Sequence, residues 1–107
     1  MNAETEVNTL FEQMDSTFFK ALAEPVRIEI LKKLIMVREA DIHTIAKDLP
    51  QDRSVISRHL SILEEAKVVS MRKDGRHRIY TIQGDQFIER FEAITQTIKR
   101  CMALDCC

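Results

Sequence analysis

Apolar residues recur along this chain at two different periods, and the changes between them mark out its elements. Val7, Phe11, Met14 and Phe18 stand four, three and four apart, a stripe at helical spacing that predicts a first helix from about Thr5 to Ala21. The following segment, ALAEPVRIEILKKL, restarts a helix at Pro25, because a proline's missing N–H would be unpaired in a first helical position anyway. Ile28, Leu31, Leu34 and Ile35 form its predicted buried face. Asp41 suits the N-cap of a short helix running to about Asp48, and Pro50 stops it. Asp52 is then placed to cap a further helix, RSVISRHLSILEEA, with Ile56, Leu60 and Leu63 inward and Arg53, Ser54, Ser57, Arg58 and Ser61 on the other side. Two helices joined by so tight a turn make a helix-turn-helix.

Past Ala66 the period shortens. Residues 67–73 and 76–82 read as two strands around Asp74-Gly75, a pair that favours a two-residue hairpin turn in which both residues take positive φ. With Lys73, Arg76 and Arg78 near its tip, the hairpin is a basic wing. Asp85 is the expected cap of a last helix from about Gln86 to Met102, along which Phe87, Phe91, Ile94, Ile98 and Cys101 recur at four, three, four and three. That 3.5-residue seam is the pattern of a helix packed on a partner helix. The expected fold is mostly α with a small β-hairpin wing, a winged helix-turn-helix, in one domain over residues 1–102 followed by a tail at 103–107. A chain of 107 residues encloses a thin core. This favours a homodimer through the first and last helices, with Val7, Phe11, Met14, Phe87, Phe91, Ile94 and Ile98 at its interface.

Charge distribution sharpens the picture more than the net charge of −1 does. Residues 1–24 hold five acids and one base, whereas residues 53–80 hold seven bases and three acids. A local basic surplus on a near-neutral chain attracts phosphate without making the whole surface adhesive. No apolar run approaches the roughly 20 residues that span a bilayer, and the acidic N-terminus lacks the pattern of a secretory signal. The expected location is therefore cytoplasmic, with no membrane partner. Glycine-rich phosphate loops, serine-nucleophile motifs and His-Glu-x-x-His are absent, so an enzyme is not expected.

Three blocks, FFKALAEPVRIEILKKL, SVISRHLSILEEAKVV and RKDGRHRIY, resemble the arsenic-repressor (ArsR/SmtB) family in order and spacing, over about residues 8 to 100. The resemblance implies a dimeric winged helix-turn-helix repressor that leaves double-stranded operator DNA when an effector binds. It makes the helix after Asp52 the recognition helix, with Ser54, Ser57, Arg58 and His59 on its DNA-reading stretch and Arg76 and Arg78 on the wing. Physical chemistry points the same way. The N-terminal part of a recognition helix, where Arg53 also lies, meets the major groove. There, arginine can take guanine O6 and N7 together and serine hydroxyls bond bases or phosphates, while wing arginines hold phosphates. His59 has an equal alternative, packing beside the backbone.

The effector site is less uniform in the family. Asp41 and His43 occupy the positions of the family's Cys-x-Cys sensor pair, so a thiophilic ion has no thiolate there; Asp41 is better explained as a helix cap. The last helix contains no histidine, which removes the family's Asp/His zinc site, and Glu89 and Glu92 read as a solvated face. All three cysteines, Cys101, Cys106 and Cys107, fall in the last seven residues. Thiolates select soft ions. The resemblance adds that some members carry a cysteine cluster on the last helix for trivalent arsenic, which makes As(III) or Sb(III) the expected inducer. Cd(II), Pb(II), and disulfide-based redox sensing near Lys99 and Arg100 remain open alternatives.

Overall fold

The structure, a computed structural model, describes residues 2–104. Its first departure from expectation lies near the N-terminus. Helix α1 spans Ala3–Met14 and stops, and a five-residue helix α2 spans Thr17–Ala21. Ser16 breaks the run: its hydroxyl accepts from the Phe19 N–H at 3.3 Å and so starts a new helix. The predicted four-residue stripe is thereby divided. Phe18 turns into the core at 1% exposure while Phe11 and Met14 stay open to solvent.

Helix α3 (Pro25–Val37) begins as expected at Pro25, with Glu24 as the cap accepting from Arg27 N–H at 3.0 Å. Its buried face keeps the predicted Leu31 and Leu34 but takes Ile30 in place of Ile28 and Ile35, which are exposed. Apolar residues nearly encircle this helix, so their spacing does not select the face that packing uses. Strand β1 (Glu39–Asp41) leads into α4 (Ile42–Ala46), where Asp41 Oδ1 accepts from Thr44 N–H at 2.9 Å, the expected cap. Helix α5 (Arg53–Glu65) buries Ile56, Leu60 and Leu63 completely. Asp52 stands at its N-cap with extended backbone, but its carboxylate makes no cap bond.

The exit from α5 is tightly specified. Lys67 takes φ +64°, Val68 N–H reaches back to Leu63 C=O at 2.9 Å, and Lys67 N–H bonds Glu64 C=O at 3.0 Å. This is a Schellman motif with a lysine in the left-handed position usually held by glycine. It aims the chain into strand β2 (Val69–Asp74), which pairs antiparallel with β3 (His77–Ile82); β1 lies on the far side of β3, giving a sheet of order β1-β3-β2. Asp74 pairs with His77, so the turn residues are Gly75 and Arg76, one position later than expected. Of the two, only Gly75 has positive φ (+63°). Glycine in the first central position is the type II′ arrangement, which leaves Asp74 free to close the ladder.

Helix α6 (Gly84–Ala103) starts one residue before the expected cap, with Gln83 at the cap position and Asp85 in the first turn, where a carboxylate favours the helix dipole. It packs along α1. Phe87 meets Phe18 edge-on at 4.9 Å and joins the core, whereas Phe91 rests against Phe19 at 5.4 Å and keeps half its surface open. The radius of gyration is 16.9 Å, well above the roughly 13 Å of a compact chain this long. The principal extents of 52 × 23 × 21 Å describe an elongated molecule.

Candidate nucleic-acid interface

Helix α5 divides its sequence cleanly. With Ile56, Leu60 and Leu63 anchored, Arg53, Ser54 and Arg58 are exposed and Ser57 is half-buried. On the wing, Arg76 and Arg78 are exposed. None of Arg53, Arg58, Arg76 and Arg78 forms an ion pair among the described residues, so their charge is directed outward. A cleft of about 330 Å³ runs between the start of α5 and the wing, and it brings Arg53, Ser57, Arg76 and Arg78 together. Ser54 and Arg58 lie on the open face of α5 outside that cleft.

Two expected contributors behave differently. Arg72, counted in the basic surplus, is bound by Glu39 at 2.9 Å and ties β2 to β1. His59 has 18% side-chain exposure, and its ring faces the start of α3. Its Nδ1 accepts from Arg27 Nη1 at 3.3 Å, since a guanidinium can only donate, and Glu24 Oε2 lies 3.7 Å away. Arg27 also donates through Nε to Ala21 C=O at 2.7 Å. His59 thus joins α5 to the α2–α3 corner, following the packing alternative.

Residues not singled out for the interface complete the cleft. His43 and His77 line it, and His77 Nδ1 lies 3.1 Å from Asp41 Oδ2. The Asp41 carboxyl is held below the usual carboxylate range, first by the Thr44 backbone N–H, then by the Thr44 hydroxyl and by His77. Among the described residues no group of three metal-ligating side chains gathers, at Asp41 and His43 or elsewhere. A helix N-terminus, unpaired arginines and a basic hairpin facing one open cleft form a surface suited to a polyanion.

The Bacterial regulatory protein, arsR family model matches residues 24–70, from the cap of α3 into β2. An uncharacterized HTH-type transcriptional regulator of Mycobacterium tuberculosis is 30% identical over 91 residues, 85% of this chain and 80% of that protein. The chain belongs to the arsR family. This arsR-family protein is similar to a solved structure described as a possible transcriptional regulator for arsenical resistance, at 33% identity and TM-score 0.64, over 76% of this chain and 82% of that one. It is also 29% identical to a Streptomyces lividans protein described as a probable mercury resistance operon repressor, over 98% of this chain and 84% of that protein. Membership of a family of DNA-binding transcription regulators makes the arsR-family chain a regulator and not an enzyme.

The predicted effector and dimer residues are distributed unevenly. Cys101 is fully buried on the face of α6 that also carries buried Thr97. Beside it Arg100 Nε donates to Glu6 Oε2 at 2.6 Å, and Arg100 Nη2 to Thr97 Oγ1 at 3.1 Å. Glu6, only 2% exposed, was not identifiable from the sequence, because its partner lies 94 residues away. Cys106 and Cys107 lie outside the described residues. Among the dimer candidates, Val7 and Ile94 are partly covered and Phe87 is turned into the core. Phe11, Met14, Phe91 and Ile98 remain exposed along the α1–α6 pair. No helix among the described residues is long and apolar enough to cross a membrane.

Proposed function

We propose that this chain is a cytoplasmic repressor that occupies double-stranded operator DNA as a homodimer and leaves it when As(III) or Sb(III) is bound by Cys101, Cys106 and Cys107. The observation that carries the DNA part is the cleft that joins Arg53 and the half-buried Ser57 of α5 to Arg76 and Arg78 of the wing, with all three arginines exposed. Arg58 and Ser54 read base edges, the wing arginines hold phosphates, and two copies bind a two-fold symmetric site. The exposed Phe11, Met14, Phe91 and Ile98, on a chain too extended to enclose its own α1–α6 pair, support the dimer.

The effector reading rests on the cysteines and on what two relatives are named for, arsenical and mercury resistance. Helix α6 continues to Ala103, with the Cys101 thiol sealed on its inner face. An ion that gathers this thiolate with those of the tail must loosen the end of α6 where it packs on α1. Effector binding and the dimer surface are then alternatives in one free-energy balance, because a ligand shifts an equilibrium only by its differential affinity. A coupling of about 1–3 kcal/mol weakens DNA binding about 5- to 150-fold.

The test is release from a promoter duplex titrated separately with arsenite, antimonite, cadmium, zinc and peroxide. Arsenite or antimonite releases the wild type. Cys106→Ser, Cys107→Ser and Cys101→Ala keep DNA binding and lose most of that release. Release of a triple variant by arsenite moves the site elsewhere, and reversible release by peroxide alone makes the cysteines a redox switch.

A further inference from the structure

Asp41 occupies an unusual place in this interface. It is the last residue of β1 and the cap of α4, and both carboxylate oxygens are engaged in different elements. Oδ1 accepts from the Thr44 N–H at 2.9 Å, fixing the start of the first helix of the helix-turn-helix. Oδ2 meets His77 Nδ1 at 3.1 Å, on the first residue of β3, directly after the wing turn. Asp41 is 19% exposed at its side chain while His77 is 67% exposed, so the acid is the fixed end and the histidine the attached one. Arg76 and Arg78 flank His77 in the chain.

We propose that Asp41 and His77 are positioning residues for DNA binding: one carboxylate clips the wing to the cap of α4 and so sets where Arg76 and Arg78 stand relative to α5. This rests on the DNA-binding reading above and adds a pair that touches no base.

The physical need for the clip is plain. A two-residue hairpin standing clear of the body has few neighbours at its tip, and its arginines bring phosphates into register only if its angle is held. The backbone pairing of β1 with β3 reaches the Asp41–Ile79 pair and goes no further toward the tip. The Arg72–Glu39 pair restrains the other strand, from the same β1. The Asp41–His77 contact extends the restraint two residues beyond the last β1–β3 pair. In neutral histidine the Nδ1–H donates to the carboxylate, and in the charged ring the same bond gains an ion pair. The cleft-facing groups around it are His43 of α4, Arg53 of α5 and Arg76 and Arg78 of the wing.

The test separates the clip from the cap. Asp41→Ser retains a capping oxygen but is too short to reach His77. His77→Ala leaves the cap untouched, and His77→Asn restores a donor near the place of Nδ1. Each is measured two ways: hydrogen exchange of residues 72–79 in the free protein, and affinity for a promoter duplex against salt concentration. Asp41→Ser and His77→Ala are expected to speed exchange at the wing tip. They are also expected to lower affinity about two- to fivefold per wing, the range of an exposed charged pair. The slope of log affinity against log salt should shrink by about 0.9 for each phosphate that the wing no longer neutralises. His77→Asn restores most of both, and the double variant is no worse than either single one, as for two ends of one interaction. Wild-type exchange, affinity and salt slope in both single variants overturn the proposal, as does strict additivity. A wild-type protein that binds no promoter DNA overturns instead the reading beneath it.

Discussion

Between α3 and β2, Ile30, Ile45, Ile56, Leu60, Leu63, Val68 and Val69 are all completely enclosed within a single chain. Along the α1–α6 pair, by contrast, Phe11, Met14, Phe91, Ile98 and Met102 lie open, and the two helices are linked through a half-open ion pair in which Glu6 is buried and Arg100 is not. The first region closes its core within one chain and presents charged side chains along α5 and the wing, although Ile35 and Met36 at the end of α3 are exposed. The second has more apolar surface than it has neighbours. On the function proposed above, this difference corresponds to separate tasks: the enclosed region would hold the DNA-facing geometry, and the open one would be the surface for a second copy, alterable without melting the other.

Substitutions in the two regions should therefore fail differently. Leu60→Ala, in the closed core, should lower unfolding free energy by about 2–5 kcal/mol. In that variant the loss of Tm should be the same at every protein concentration. Phe91→Ala should lower dimer stability by roughly 2–4 kcal/mol if a partner covers its exposed half, and its Tm should fall with dilution. Sedimentation that finds wild-type dimers in Phe91→Ala, or wild-type monomers at any concentration, removes the contrast.

Arg100→Ala comes next in size. It strands the Glu6 carboxylate at 2% exposure, but Arg100 itself is 43% exposed, so water tempers the loss to about 1–3 kcal/mol. Chemical denaturation measures it, and Glu6→Gln should recover part of the loss in the Arg100→Ala background. A smaller effect of opposite sign is expected at Lys67. Its left-handed φ of +64° suits glycine, and Lys67→Gly should stabilise the protein by about 0.5–1 kcal/mol at no loss of DNA affinity. Destabilisation there would mean that the lysine side chain supports the corner between α5 and β2.

The least effect concerns acid. Asp41 has its carboxyl held below the ordinary value of 3.8, so its share of stability is complete above that value and is lost as pH falls through the lower native one. The acid limb of the stability curve should flatten in Asp41→Ser. An unchanged limb transfers the acid sensitivity to other carboxylates, among them Asp48, lowered by its bond from Lys33.

The readable parts of the chain were those where local chemistry and tertiary packing agree. Ile56, Leu60 and Leu63 alternate with hydroxyls and arginines at a clean helical period, and both the helix and its outward face follow from that. Asp41, through its capping carboxylate, and Pro25, through its missing N–H, announce helix starts. Helix α3 was harder, because apolar residues on several sides leave the choice of buried face to neighbours distant in sequence. A single serine at position 16 outweighed a regular stripe and split the first helix. The type II′ turn moved by one residue because Gly75 can open a turn as well as close one. Long-range pairs such as Glu6–Arg100 and Asp41–His77 leave no periodic trace: Glu6, Arg100 and His77 look like ordinary surface side chains, and Asp41 reveals its cap but not its second partner.

The enclosure of Cys101 has a further consequence, for reaction kinetics. A thiol at 0% exposure meets an alkylating reagent only in the fraction of time that α6 stands away from its packing. In a protein whose Cys106 and Cys107 are replaced by serine, its labelling rate becomes a gauge of that opening. At low reagent the rate scales with the population of the open form, and at high reagent it levels off at the opening rate itself. Measured with and without operator DNA, the same sulfur reports whether a duplex on the proposed α5–wing surface quiets the α1–α6 pair.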